Sequence, residues 1–241
     1  MKKKNKAIIN IISSFNHANF VGLLKNDNNF DWRINDTNYS QIFQTLTNKN
    51  SNIWKKKCDA TLIWSTPESI SPEFKKLLSN EKVSQNKIKK DIDYFFSSLK
   101  IAKNNSDIIL IPNWILGEQI DSNVALAFSK QMGIEYNLCF MNHYLSKLIE
   151  KEENIYLLNS NKWLTNCGSK NTYSSKLWYL MKSPFSNDFF NQAISDLISI
   201  FKSLNGLSKK LLILDLDNTL WGGVVGEDGW KNLRLGGHDY L

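Results

Sequence analysis

Two aspartates and a threonine stand at alternate positions after a short apolar run near the end of the chain. The run is Leu211–Leu214, and Asp215, Asp217 and Thr219 follow it. Such a run predicts a buried strand over Leu211–Leu216, and carboxyl ends of strands are where α/β proteins bind ligands. In extended backbone the two carboxylates would share one side, about 7 Å apart. Their charge requires compensation, and Mg²⁺, which prefers oxygen ligands, is the natural partner.

This pattern is typical of phosphoryl-transfer chemistry. One carboxylate would attack phosphorus and form an aspartyl phosphate, and the other would carry a proton to the leaving group and later accept one from water. Mg²⁺ would reduce the repulsion between an anionic nucleophile and a phosphate. Thr219 would orient the loop, and Trp221, Gly222 and Gly223 would form a flap that turns sharply over the site.

The elements that must position these residues are short apolar strands separated by helices. Unalternated apolar runs predict parallel strands that are buried on both faces. The predicted strands are Ile8–Ile12, Ala60–Trp64, Asp107–Ile111, Ile155–Leu158 and Leu211–Leu216. Helical spacing predicts helices over Tyr39–Leu46, Ile88–Ala102, Ser122–Met132 and Asp188–Leu204. Strands that alternate with helices predict an α/β fold with a largely parallel, flavodoxin-like sheet.

One domain boundary, one loop and the ends of one helix complete the predicted organisation. Six of the eleven glycines follow residue 221, which indicates a first domain over 1–206 and a second segment over 207–241. The Asn-rich stretch Asn26–Asn38 is predicted to be a loop. In the third helix, Asp121 is the predicted cap and Gly133 the predicted stop.

Composition excludes several classes of function. The 30 basic and 23 acidic residues give a net charge of +7, but Arg33 and Arg234 are the only arginines, so nucleic-acid binding is not expected. No apolar run approaches the roughly 20 residues of a membrane-spanning helix. Three cysteines without metal-ligand spacing fit a reducing compartment. We therefore expect a cytoplasmic protein that has no nucleic-acid or membrane partner.

The acidic segment resembles a known superfamily. The string DLDNTLWGG, from Asp215 to Gly223, is similar to the first motif, DxDxT, of the haloacid dehalogenase (HAD) superfamily. Its extension WGGVVGEDG resembles the FkbH-like subgroup, whose members carry an α/β domain in front of the HAD domain. The resemblance covers about residues 176–237.

The resemblance implies roles for individual residues. Asp215 would be the nucleophile and a metal ligand through its side chain, and Asp217 would be the general acid/base and a metal ligand through its main-chain oxygen. The better-described members of the FkbH-like subgroup resemble enzymes that load a glyceryl unit from a phosphorylated three-carbon donor onto an acyl carrier protein. The expected partners are thus a phosphorylated small molecule or an acyl carrier protein.

A HAD site also uses residues downstream of its first motif. A Ser or Thr, a Lys and further acidic residues are needed, and nothing after Thr219 supplies them. We therefore expect a truncated or split protein, inactive by itself, whose partner is the missing HAD half.

The first domain is expected to resemble the SGNH-hydrolase fold. Ser13 or Ser14 follows the first strand and Asn113 follows a middle strand, as in that family, but its Asp-x-x-His motif is missing. Without a histidine base a serine is a poor nucleophile. An SGNH-type esterase and a non-catalytic module that docks a carrier protein therefore remain as alternatives.

Overall fold

A computed structural model describes residues 4–117, 124–209 and 211–235. The chain forms two compact units, of which one ends at Ile198 and the other begins at Ser199.

The first unit is built on a five-stranded sheet in which every neighbouring pair is parallel. The strands are β1 (Asn5–Ser13), β2 (Phe30–Asp36), β3 (Cys58–Trp64), β4 (Ser106–Pro112) and β5 (Ile155–Leu158). Their order across the sheet is β2-β1-β3-β4-β5, which is the flavodoxin-like order. The predicted α/β fold with a parallel sheet is confirmed.

Helices follow or separate the strands. They are α1 (Ala18–Lys25), α2 (Ile42–Thr47), α3 (Pro67–Ile70), α4 (Pro72–Lys75), α5 (Gln85–Ser98), α6 (Lys100–Asn105), α7 (Ile134–Ile149), α8 (Ser160–Cys167), α9 (Ser169–Thr172), α10 (Ser175–Met181) and α11 (Asn187–Leu204). Short 3-10 turns lie at Asn52–Trp54 and Lys76–Ser79.

The central strands β1, β3 and β4 are buried on both faces: successive side chains point to opposite faces of the sheet, and nearly all of them are buried. On one face, buried side chains of α5 and α7 form one apolar cluster with isoleucines of three strands, namely Ile12 of β1, Ile63 of β3, and Ile109 and Ile111 of β4. On the other face, Trp64 lies at the centre of an aromatic cluster. Its ring centroid is 5.3 Å from that of Phe20, 5.6 Å from that of Trp163 and 6.2 Å from that of Phe189. Burial on both faces explains why these strands are unalternated apolar runs.

The prediction of a loop over Asn26–Asn38 is wrong, because this stretch contains β2. The strand lies at the edge of the sheet, and beyond its buried first residue, Phe30, its side chains are half-buried or exposed. The buried amide of Asn10 accepts a hydrogen bond from the Asn35 side chain and links β2 to β1. Because an edge strand is partly exposed, it needs no continuous apolar run, and the polar residues of β2 therefore did not indicate a strand.

The predicted helix over Ser122–Met132 is also wrong. Asp121 and the first two residues of this helix lie outside the described residues, and residues 124–132 form turns. Gly133 does not end a helix but precedes α7. A Cβ at Gly133 would lie 2.3 Å from the carbonyl oxygen of Ala127 and 2.5 Å from that of Ser129, so the chain folds back tightly on itself there. This close approach explains why position 133 is a glycine, which has no Cβ.

The second unit contains a small hairpin rather than the predicted strand. Leu211–Leu216 is neither helix nor strand, and its side chains are exposed. Within the described residues no strand pairs with it, and an apolar run without a neighbouring strand has no ladder to join. The segment beyond it forms β6 (Trp221–Gly222), α12 (Val225–Asp228) and β7 (Arg234–Leu235), with β6 and β7 antiparallel.

Candidate functional site

The acidic loop, which runs from Asp215 to the start of β6 at Trp221, is organised around Asp217. Its Oδ1 accepts hydrogen bonds from Nε1 of Trp221, at 3.0 Å, and from the backbone amide of Val225, at 3.2 Å. Trp221 belongs to β6 and Val225 begins α12. Both flap elements are therefore anchored on one oxygen of this carboxylate.

A second set of contacts closes the turn that follows Asp217. Asn218 has a φ of 54°, a left-handed conformation that asparagine tolerates better than most residues. Its Oδ1 accepts from the amide of Gly223 at 2.9 Å, and its own amide donates to the Gly223 carbonyl at 3.2 Å. These reciprocal bonds bring the two predicted flap glycines, Gly222 and Gly223, back towards the acidic loop.

Asp228 holds the flap from its other end. Its Oδ2 accepts from the amide of Val224 at 2.8 Å. Gly223 has a φ of 110°, and a Cβ there would lie 2.9 Å from the same Oδ2. Neither Asn218 nor Asp228 was among the predicted site residues. The signals in the sequence were an asparagine directly after Asp217, a residue type that favours turns, and a carboxylate close to the predicted flap glycines.

Asp215 and Thr219 are held more loosely. Both are exposed, and Asp215 Oδ1 accepts from the amide of the next residue, Leu216, at 2.9 Å. The Thr219 amide donates to the Leu216 carbonyl at 3.3 Å and so forms part of the turn. The loop thus has one anchored carboxylate, on Asp217, and one exposed carboxylate, on Asp215.

The oxygen donors of this loop fit Mg²⁺ chemically but complete only part of its shell. Asp215 offers a carboxylate and Asp217 a carboxylate and a main-chain oxygen, which are the hard donors that Mg²⁺ prefers. An octahedral shell takes about six ligands. In the described part of the chain, no three His, Cys, Asp or Glu residues are grouped so that they could hold a metal ion.

The predicted residues of the first domain lie at the carboxyl ends of strands, Ser13 and Ser14 at the end of β1 and Asn113 after β4, and each accepts a hydrogen bond from a backbone amide rather than from another of the three. Ser13 Oγ accepts from the Phe15 amide at 3.2 Å, and Ser14 Oγ accepts from the Thr66 amide at 2.9 Å. Asn113 Oδ1 accepts from the Ser160 amide at 2.6 Å. Each side chain therefore fixes a loop that follows a strand.

His17 is the histidine nearest to these serines in the chain, and it is buried. Its Nδ1 lies 3.4 Å from the Phe15 carbonyl oxygen and its Nε2 lies 3.6 Å from Oδ2 of Asp36. Burial lowers the pKa of His17, although the backbone bond and the Asp36 charge act in the opposite direction. Among residues 4–117 and 124–209, no hydrogen bond joins a histidine to Ser13 or Ser14.

Fold and sites define an α/β protein with a flavodoxin-like sheet and a following acidic loop and flap. The family model described as FkbH, N-terminal domain, matches residues 10–202. The chain belongs to this family.

One solved structure is similar over nearly the whole chain. It is the N-terminal part of protein BF1531 from Bacteroides fragilis, described as containing a phosphatase domain complexed with Mg. It has a TM-score of 0.76 and 22% identity, and the match covers 97% of this chain and 61% of that one. At this identity the likeness shows the fold, and this chain spans about three fifths of that structure's length.

Two other structures match at lower TM-scores, which are not evidence of a shared fold. Protein YXIM from Bacillus subtilis has a TM-score of 0.46 and 12% identity, with 86% of this chain and 58% of that chain covered. The salicylyl-acyltransferase SsfX3 from a tetracycline biosynthetic pathway has a TM-score of 0.47 and 8% identity, with 85% and 57% covered. The search of curated proteins found no match. Among the helices of the described residues, none has the length and apolar character needed to cross a bilayer.

Proposed function

We propose that this FkbH-family protein takes part in Mg²⁺-dependent phosphoryl or acyl-phosphate transfer in a biosynthetic pathway. Asp215 is the proposed nucleophile and Asp217 the proposed general acid/base. The DxDxT spacing and the family membership support this proposal.

The observation that carries the proposal is the different environment of the two carboxylates. Asp217 is bound by Trp221 and Val225 through Oδ1, so its position relative to the flap is fixed. Asp215 is exposed, and its hydrogen bond comes from the neighbouring amide. A positioned acid beside an accessible nucleophile is the division of roles that aspartyl-phosphate chemistry requires.

The proposed reaction has two balanced steps. First, a carboxylate oxygen of Asp215 bonds to phosphorus while the bond from phosphorus to the leaving oxygen breaks, and the Asp217 carboxyl gives its proton to that oxygen. Second, an acceptor hydroxyl or water attacks the phosphorus of the aspartyl phosphate and releases the Asp215 carboxylate. Asp217 takes the proton of the attacking group and is ready for another cycle.

The metal and the substrate are part of the same proposal. Bound Mg²⁺ would supply positive charge that offsets the repulsion between Asp215 and an anionic phosphate. The proposed substrate class is a phosphorylated small molecule, with glyceryl transfer to an acyl carrier protein as the specific reaction that the family resemblance suggests.

The test is phosphate release from acetyl phosphate and p-nitrophenyl phosphate, with and without Mg²⁺. We would assay this chain alone and mixed with the polypeptide encoded immediately downstream. We expect Mg²⁺-dependent turnover in the mixture that is lost in Asp215→Asn. Asp31→Asn, an exposed aspartate on β2, is the matched control and should retain it. Absence of turnover in both assays, or turnover that survives Asp215→Asn, would refute the proposal.

A non-catalytic docking module is the second candidate, and the exposed apolar run favours it. Leu211, Leu212 and Ile213 are 75%, 73% and 83% exposed. A strand-forming run with this much exposed apolar surface is suited to pairing with another polypeptide. The proposed occupant is the remaining HAD half. Binding of the downstream polypeptide without any turnover would support this candidate against the catalytic one.

A further inference from the structure

A cavity of about 390 Å³ lies in the first unit, beyond the carboxyl ends of β3 and β4. Thr66 and Pro67 line it where α3 begins after β3, and Ile115 lines it from the loop after β4. Tyr173 lies just before α10, and Trp178 lies within that helix. The volume falls in the range of small-molecule sites, and the position is the usual one for ligands of parallel α/β sheets. Ser13, Ser14 and Asn113 do not line it.

The walls of the cavity are mostly apolar. Leu77, Ile115, Ile134 and Phe185 line it, and the ring of Trp178 adds an aromatic surface. A ligand that displaces water from such walls must itself have an apolar body. Sugars and polyphosphates do not meet this condition.

Glu68 indicates which charge a ligand of this cavity would carry. It is half-buried, and among the described residues that line the cavity it is the one with a charged side chain. Across residues 4–117, 124–209 and 211–235, its carboxylate has no ion-pair or hydrogen-bond partner. A partly desolvated carboxylate without a partner favours a ligand that brings a cation.

The aromatic wall is compatible with the same charge. Lys182 Nζ lies 5.2 Å from the ring centroid of Trp178, so this ring already contacts one ammonium group. Indole faces attract cations, and Tyr173 provides a second aromatic ring in the lining of the cavity. Lys182 does not line the cavity, but a lysine at this distance could attract an anion. The test therefore includes an anionic ligand.

We propose that this cavity binds a small amphipathic amine, with its apolar body against Leu77, Ile115 and Trp178 and its ammonium group paired with Glu68. The site is independent of the acidic loop and of the phosphoryl-transfer proposal.

Three probes that differ at one end test the charge preference: phenethylamine, phenethyl alcohol and phenylpropionate. Binding to the full chain is measured by calorimetry and by ligand-observed NMR. We expect saturable binding of phenethylamine, weaker binding of the alcohol and none of the carboxylate. Glu68→Gln should weaken phenethylamine binding about tenfold or more, and Ile115→Trp, which fills the cavity, should abolish it.

The controls separate binding from folding. Glu153→Gln makes the same change of charge on an exposed residue just before β5, at the opposite edge of the sheet, and should leave the affinity unchanged. Thermal unfolding checks that each variant is folded. The proposal is overturned if folded wild-type protein binds none of the probes, if phenylpropionate binds as tightly as phenethylamine, or if Glu68→Gln leaves the affinity unchanged.

Discussion

Nε1 of Trp221 donates a 3.0 Å hydrogen bond to Oδ1 of Asp217, four residues earlier in the chain. The bond links the first strand of the flap to the second carboxylate of the acidic motif. Because Asp217 is also the proposed general acid/base, the residue that would transfer the proton is the one that the flap holds in place. In the proposed reaction, the position of the flap and the transfer of the proton would therefore be coupled through this pair.

Loss of the Trp221 donor should loosen the flap. A hydrogen bond to a charged group contributes about 1.5–3 kcal/mol, so Trp221→Phe should speed hydrogen exchange at the Val225 amide about tenfold or more. Native-state exchange followed by NMR measures this. Trp230→Phe removes an exposed indole from the same unit and serves as the control. Equal exchange rates in both variants would show that the bond does not hold the flap.

Substitution of Asp215 should leave stability unchanged. The residue is exposed and its hydrogen bond is local, so Asp215→Asn should change the free energy of unfolding by less than about 0.5 kcal/mol. Asp217→Ala, in contrast, removes the acceptor of two flap bonds and should increase exchange at Val225. Thermal unfolding and hydrogen exchange provide the two measurements. A marked loss of stability in Asp215→Asn would mean that lost activity reports folding.

Two glycine substitutions should act in opposite directions. Gly133→Ala places a Cβ 2.3 Å from the Ala127 carbonyl oxygen, and because backbone cannot move aside cheaply, we expect destabilisation of about 1–3 kcal/mol. Gly22 lies inside α1 with nothing within 4 Å of its would-be Cβ, so Gly22→Ala should stabilise by about 0.5–1 kcal/mol. Urea unfolding gives both values. A stable Gly133→Ala would contradict the tight fold before α7.

Stability should fall in mild acid because of His17. Burial lowers the pKa of the folded-state imidazole below its usual 6.5. Below about pH 6.5 the unfolded chain therefore binds more protons than the folded one, and the free energy of unfolding decreases as the pH falls. Above that pH this dependence vanishes.

His17→Gln should make the stability curve flatter below about pH 6.5, as measured by thermal unfolding at several pH values. His143→Gln is the matched control, because His143 is exposed on α7. If the two variants have the same pH dependence as the wild type, then His17 is not the group responsible.

The buried strands were predictable because they are covered on both faces. Ile8–Ile12, Ala60–Trp64 and Asp107–Ile111 lie within the buried strands β1, β3 and β4. The edge strand β5 has the predicted bounds Ile155–Leu158, although Ile155 is its one buried residue. The long helix predicted over Asp188–Leu204 differs from α11 by one residue at its start. In these elements, local pattern and tertiary packing favour the same structure.

Elements that depend on distant contacts were missed. β2 is an edge strand whose pairing with β1 was hidden by polar residues, and α7 begins where a helix was expected to stop. Leu211–Leu216 has the pattern of a strand, but strands need neighbours, and none pairs with it in the described structure. The sequence pattern indicates which segments prefer to be buried, but it does not indicate which strand or helix each segment will pack against.

The sequence by itself determined the parallel α/β fold class and the position of the acidic motif, because runs of apolar residues and the spacing of Asp215 and Asp217 are local properties. Only the tertiary structure decided that Asp217 anchors the flap, that His17 is buried, and that Glu68 lines a largely apolar cavity. These properties depend on which residues surround a side chain. Tertiary packing places residues such as Glu68 and Trp178 around one cavity although they lie far apart in the chain.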